Sequence, residues 1–148
     1  YETFFSKAWP VLKAYRFPAT VFIITEQSQD GWYLSWEQCQ ELYAGWMEFG
    51  SHTKNHPWLA KQSKDVYTDE IYDSKQIIEK QLQVPCEVFC YPGGSYNNAV
   101  SDKVKEAGYL TAVTTVQGKA SINHNQYQLP RIRVPRGMSL KAFASNIS

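Results

Sequence analysis

Short runs of β-branched and aromatic residues alternate with stretches of helical periodicity along nearly the whole 148-residue chain, and this alternation restricts the folds open to it. The strand-type runs lie at 19–25, 48–51, 87–91, 110–116 and 129–134. Before the first, Phe5, Ala8, Trp9 and Leu12 share one side of a helix over 5–15, with Pro10 near its first turn or kinking it. Ser35 with Gln38 forms a capping-box pattern that opens a second helix carrying Cys39, Leu42, Tyr43, Trp46 and Met47. A third helix over 68–82 is striped by Tyr67, Ile71, Ile78 and Leu82. A fourth runs over 97–107 with Gly108 as its C-cap, and Ser139 caps a fifth that continues through Ile147. Residues 117–128 are polar and read as a loop. Strand and helix in alternation imply a mostly parallel sheet, open or closed into a barrel, and sites in such folds gather at the carboxyl ends of the strands.

Length and composition narrow the function. A chain of this size fits one domain around one core. Its formal net charge is +1 with both signs interspersed, so neither a phosphate-tracking surface nor an electrostatic membrane anchor is expected, and nucleic acid is excluded as a partner. No apolar stretch approaches the length of a membrane span, and the N-terminus has no signal-peptide pattern. The chain opens mid-pattern without an initiator Met, as an excised or processed piece would. Five Trp and ten Tyr exceed what a core of this size needs, so some are expected at the surface, where flat aromatic faces suit sugar rings. The three cysteines, Cys39, Cys86 and Cys90, have the wrong parity for a disulfide framework and no common zinc-module spacing; they read as small buried hydrophobes. Cys86 and Cys90 lie four apart in a strand-type run, which points both to one face, inward.

Chemistry concentrates in Gly50-Ser51-His52-Thr53-Lys54-Asn55-His56-Pro57, directly after a short strand. The chain has three His, and two of them fall here, four residues apart and flanked by Gly50 and Pro57, which shape a loop. On one helical turn this spacing sets both imidazoles on one face, able to share a metal at about 2.0–2.1 Å, and imidazole suits zinc and its neighbours.

With these residues the sequence resembles the polysaccharide deacetylase family, carbohydrate esterase family four. His52, Thr53, His56 and Pro57 fit its second motif, His-Ser/Thr-x-x-x-His-Pro. Phe17-Pro18-Ala19-Thr20-Val21-Phe22-Ile23 is similar to the family's Ala-Thr-Phe-Phe strand, and residues 36–50 resemble the helix that leads to its histidines. Phe89-Cys90-Tyr91-Pro92-Gly93-Gly94-Ser95-Tyr96-Asn97 is similar to the third motif, and Leu129-Pro130-Arg131-Ile132 to a segment of bacterial members. Together they cover nearly the whole chain in the family's order.

The resemblance implies a distorted (β/α) barrel, TIM-barrel-like with fewer than eight strands, and a single catalytic domain over residues 1–148 that is incomplete at its N-terminus. It implies a divalent metal, zinc by default, held by one Asp and two His, here His52 and His56, with a second Asp as base. A backbone N–H after the motif's Pro, here Gly93, holds the oxyanion. An Arg often orients the base; Arg131 is the candidate, with Arg133 and Arg136 competing, and a surface charge or structural ion pair is the alternative for it. Two departures stand out: Cys90 replaces an Arg of the third motif, and Gly93 replaces its Tyr or Phe. The family's Thr-Phe-Asp-Asp-Gly motif and first strand are expected ahead of Tyr1. Asp30, Asp65, Asp69, Asp73 and Asp102 sit in loops or helices and are not candidates for the missing ligand, and His124 reads as a solvated loop residue. The expected activity is removal of N-acetyl groups from an N-acetylglucosamine polymer at the cell surface or outside the cell. The alternatives are an acetylxylan O-deacetylase and a non-catalytic glycan-binding relative.

Overall fold

The computed structural model describes residues 1–27 and 31–147; Asp30 lies outside them. Five strands form one sheet, β1 (Thr20–Ile23), β2 (Glu48–Ser51), β3 (Val88–Cys90), β4 (Thr111–Gln117) and β5 (Leu129–Arg131), all parallel and neighbours in chain order. A parallel sheet whose strands follow one another in sequence is the progression of a (β/α) barrel, as expected. Helices α2 (Trp36–Ala44), α3 (Lys64–Leu82) and α4 (Asn98–Glu106) make the first three crossovers, whereas a polar loop joins β4 to β5. Helix α1 (Trp9–Tyr15) precedes the sheet and α5 (Leu140–Ile147) follows it.

Local chemistry accounts for most boundaries. Ser35 caps α2 through the reciprocal Ser35–Gln38 bonds of a capping box. Asn97 caps α4 by accepting from the Val100 N–H, and Ser139 accepts from Ala142 at the start of α5. Helix α3 departs from expectation: Ser63 caps it, a turn earlier than the apolar stripe suggests, because its first turn carries the polar Lys64 and Asp65. Helix α2 ends at Ala44, so Trp46 and Met47 lie beyond it; Trp46 adopts φ 74° in the left-handed turn that closes the helix and is 66% exposed. Residues Phe4–Ala8 form a π-helical stretch, and Pro10 sits in the first turn of the regular helix after it, where its missing N–H costs least.

The core joins the sheet to the stripes of α2, α3 and α4. Phe89, Ala112, Leu42, Ile71, Ile78, Val100 and Val104 are fully buried. Phe89 meets Tyr91 and Tyr109 edge to face, with ring centroids 5.2 and 5.1 Å away. Cys39, Cys86 and Cys90 are buried free thiols, the first two in this core, although Cys86 precedes β3 instead of belonging to it. Burial pushes the Cys39 and Cys86 thiols up to about 12, so both stay protonated and behave as hydrophobes.

Gly50 is not a loop former. It lies inside β2 opposite Phe22, and a Cβ there would come 2.7 Å from both the Phe22 ring and the Val88 carbonyl oxygen. The glycine lets β1 and β3 close in on β2 from either side. Gly50→Ala is therefore expected to cost about 1–3 kcal/mol through overpacking, read as a lower urea midpoint at unchanged m-value; an unchanged midpoint would refute the close approach.

Candidate active site

The two histidines emerge from the carboxyl end of β2, on a segment held by its neighbours. The His52 N–H donates to the Ile23 carbonyl at 2.8 Å, and the Thr25 and Glu26 N–H groups donate to the Thr53 and Lys54 carbonyls, so ladder-like pairing with the β1 side continues past the strand. No helical turn carries the pair. Thr53 (φ 68°) and His56 (φ 62°) both take the left-handed conformation, and the resulting tight loop brings the imidazole centroids to 4.7 Å at an interplanar angle of 72°. Two such residues are costly, so surrounding bonds must hold them. The Thr53 hydroxyl accepts from the His56 N–H at 2.9 Å, and the Thr53 N–H donates to the Ser51 hydroxyl at 3.1 Å.

Below the loop lies a carboxylate that motif reading overlooks. Glu70 of α3 is buried, and it accepts from the Lys54 and Asn55 N–H groups at 2.9 Å each and from the Asn55 amide at 2.8 Å. Beside it Lys54 pairs with Asp73 at 2.7 Å, and the Ser51 and Ser74 hydroxyls share a hydrogen bond of 2.7 Å. The available signal was positional: Glu70 and Ser74 occupy the apolar stripe of α3 with Tyr67, Ile71 and Ile78, where an unpartnered polar group would be expensive.

His52 Nδ1 lies 2.6 Å from the Cys90 carbonyl oxygen, which makes that nitrogen the donor and leaves Nε2 with a free lone pair. Burial lowers the His52 pKa from 6.5 to about 4; the Cys90 hydrogen bond opposes this, and the nearby His56 and Arg131 reinforce it. The ring is thus neutral near pH 7, the form in which imidazole ligates a metal.

Gly93 and Arg131 approach the same region from β3 and β5. The turn Pro92–Gly94 after β3 places Gly93 at φ 57°, and its N–H has no acceptor among the described residues. Arg131 sends Nε to the Thr114 carbonyl at 2.8 Å and Nη2 to the Cys90 sulfur at 3.4 Å, and among the described residues no carboxylate pairs with it. Cys90 therefore touches both His52 and Arg131. Arg131, Arg133 and Arg136 are all exposed, and among the described residues Arg131 is the one that bonds to Cys90. His124 is exposed and, among the described residues, bonds only to Ser121, as expected of a loop residue. Asp65, Asp69 and Asp73 lie on α3 and Asp102 on α4. Among the described residues no third His, Cys, Asp or Glu joins the histidine pair, so two of the ligands expected for a metal fit and the third is not among them. An apolar pocket of about 170 Å³ opens beside both histidines, walled by Phe22, Tyr33 and Leu34.

A parallel α/β barrel progression with paired imidazoles at the end of its second strand defines a class that comparison with known proteins makes specific. The family pattern described as polysaccharide deacetylase matches residues 1–112, and the chain belongs to that family. It is 33% identical over 147 residues to the YxkH protein of Bacillus subtilis (strain 168), covering 99% of this chain and 53% of that protein. It is 29% identical to a poly-beta-1,6-N-acetyl-D-glucosamine N-deacetylase of Staphylococcus aureus (strain MSSA476), over 90% of this chain and 51% of that one. The solved Streptococcus pyogenes deacetylase PplD in complex with acetate superposes with a TM-score of 0.94 at 34% identity, over 99% of this chain and 66% of that one. The chain spans about half the length of the curated relatives it matches.

Two outcomes follow from the geometry. Glu70→Ala strands two backbone donors and is expected to cost about 1–3 kcal/mol, seen by urea denaturation; an unchanged midpoint would show that the loop does not depend on the carboxylate. In metal-free protein the His52 ring should stay neutral down to about pH 4. Since its folded pKa lies below the ordinary 6.5, its contribution to stability is complete above that value and is lost as pH falls toward 4. A ring NMR titration that protonates His52 near 6.5 would contradict this.

Proposed function

We propose that this protein is a metal-dependent hydrolase that removes N-acetyl groups from a polymer of N-acetylglucosamine, with the chain as its catalytic domain. The observation that carries the reading is the paired, loop-fixed imidazoles of His52 and His56, the first neutral and with its lone pair directed by the Cys90 carbonyl. His52 and His56 hold a divalent cation, zinc by default, since neutral imidazoles suit that ion. The third ligand and the base are assigned to the aspartates of the family's first motif. When bound, the cation supplies polarisation of the acetyl carbonyl and an activated water.

The chain's own groups do the rest. The Gly93 N–H donates to the acyl oxygen as negative charge collects there. Arg131, fixed by Thr114 and Cys90, presents its guanidinium to orient the base carboxylate. Hydrolysis breaks the amide C–N bond; water's oxygen ends in acetate and its protons go to the base and the departing amine. The S. aureus relative's name specifies poly-N-acetylglucosamine, which supports that polymer class here and, with it, action at the cell surface or outside the cell. Among the described residues no helix is long and apolar enough to cross a membrane.

The test uses the full-length protein: elemental analysis for metal, and acetate release from N-acetylglucosamine oligomers. His52→Ala and His56→Ala are expected to lose stoichiometric metal and at least about 100-fold in acetate release; chelation should do the same, and added zinc should restore the wild type. Full activity after chelation, or in both variants, would overturn the assignment.

A further inference from the structure

We propose that Trp58 is the sugar-stacking wall of this site, a specificity-determining residue that seats an N-acetylated pyranose with its acetamido group toward Gly93; the proposal rests on the deacetylase reading above. Gly93 itself offers the substrate no side chain. A Cβ at Gly93 would lie 3.6 Å from Trp58 Nε1 and 3.7 Å from Cε2, so the indole borders the space that a side chain would fill at the residue whose N–H is assigned to the acyl oxygen. An aromatic surface is thus supplied beside the third motif by a residue two positions after His56.

The chain on both sides fixes that surface. Pro57 precedes Trp58, and the turn Leu59–Lys61 follows it, anchored by the fully buried Leu59. The Ala60 N–H donates to the Ser95 hydroxyl at 3.1 Å, which ties the turn to the loop that carries Gly93. Trp58 is nevertheless 54% exposed and adds nothing to the core. An indole held in place between a candidate ligand and a candidate oxyanion donor, yet left open to solvent, has the properties of a recognition surface. Lys61 Nζ sits 4.2 Å from the ring centroid, so the face attracts positive charge. The C–H groups of a pyranose carry partial positive charge and suit the same face. A sugar takes it by displacing an exposed, weakly held ammonium.

The experiment measures binding of an N-acetylglucosamine tetramer to the full-length protein by titration calorimetry, alongside acetate release. Trp58→Ala should weaken binding about tenfold and raise KM with little change in kcat, whereas Trp58→Phe should retain most of the affinity. Lys61→Met should stay within about twofold of wild type, because stacking and not charge holds the sugar. Thermal melts check that each variant folds, and the exposure of Trp58 predicts that they do. Unchanged affinity in Trp58→Ala, no binding by the wild type, or an equal loss in Lys61→Met would each overturn the wall. Trp58-dependent binding without acetate release would support the wall and overturn the deacetylase reading instead.

Discussion

The histidine pair depends on a carboxylate that touches neither ring. The loop from His52 to His56 reverses twice through left-handed residues, and this turns the Lys54 and Asn55 N–H groups toward α3. Those donors need acceptors, and the buried Glu70 meets both N–H groups and the Asn55 side chain with two oxygens. The desolvation cost of the carboxylate is offset by those three bonds. Helix α3 is in turn held by the apolar stripe on which Glu70 lies, through the fully buried Ile71 and Ile78. Ser74 on the same stripe reaches Ser51 at the end of β2, and Tyr109 donates to the Ile71 carbonyl at 3.1 Å. The site is thus braced by a helix that contributes no candidate ligand to it.

What the sequence made legible, and what it hid, divides along this same line. Alternating periodicities identified five strands and five helices in their order, because burial of strands on both faces and of helices on one stripe leaves a pattern in residue type. Caps at Ser35 and Ser139 were readable for a similar reason: one short polar side chain does one local job. The His pair was visible as residue types at a spacing, but the reason for its proximity was not. Helical geometry suggested by that spacing was replaced by the left-handed conformations of Thr53 and His56, which non-glycine residues adopt only when tertiary bonds compel them. Glu70 stayed hidden because its value lies in donors fifteen and sixteen residues earlier in the chain. The nearness of Trp58 to Gly93 was hidden likewise, being set by two loops that sequence alone does not orient.

Cys90 shows how a departure from a family pattern can be absorbed. The third motif's Arg is absent at that position, yet a guanidinium reaches the same sulfur from β5 through Arg131. Burial raises the Cys90 thiol, with Arg131 opposing, so the sulfur remains a neutral acceptor. A thiolate there would have cancelled the guanidinium's charge. A neutral thiol leaves that charge acting on its surroundings, where it helps to hold His52 unprotonated.

Separation and orientation within the site come from different sources. The candidate ligands leave β2 and the candidate oxyanion donor leaves β3, and these strands meet at the Ser51–Phe89 pair, so sheet spacing sets the distance between the two loops. Phe89 is fully buried against Tyr91 and Tyr109, which makes that spacing hard to change. Orientation is left to short side-chain bonds within each loop, Thr53 to His56 on one side and Ser95 to Ala60 across to the other. Variation in those loops can therefore re-aim recognition around a fixed chemical centre. Gly93, with Trp58 beside it, lies in such a loop, while the strands beneath pair in register through Val88–Thr111, Phe89–Ala112 and Cys90–Val113.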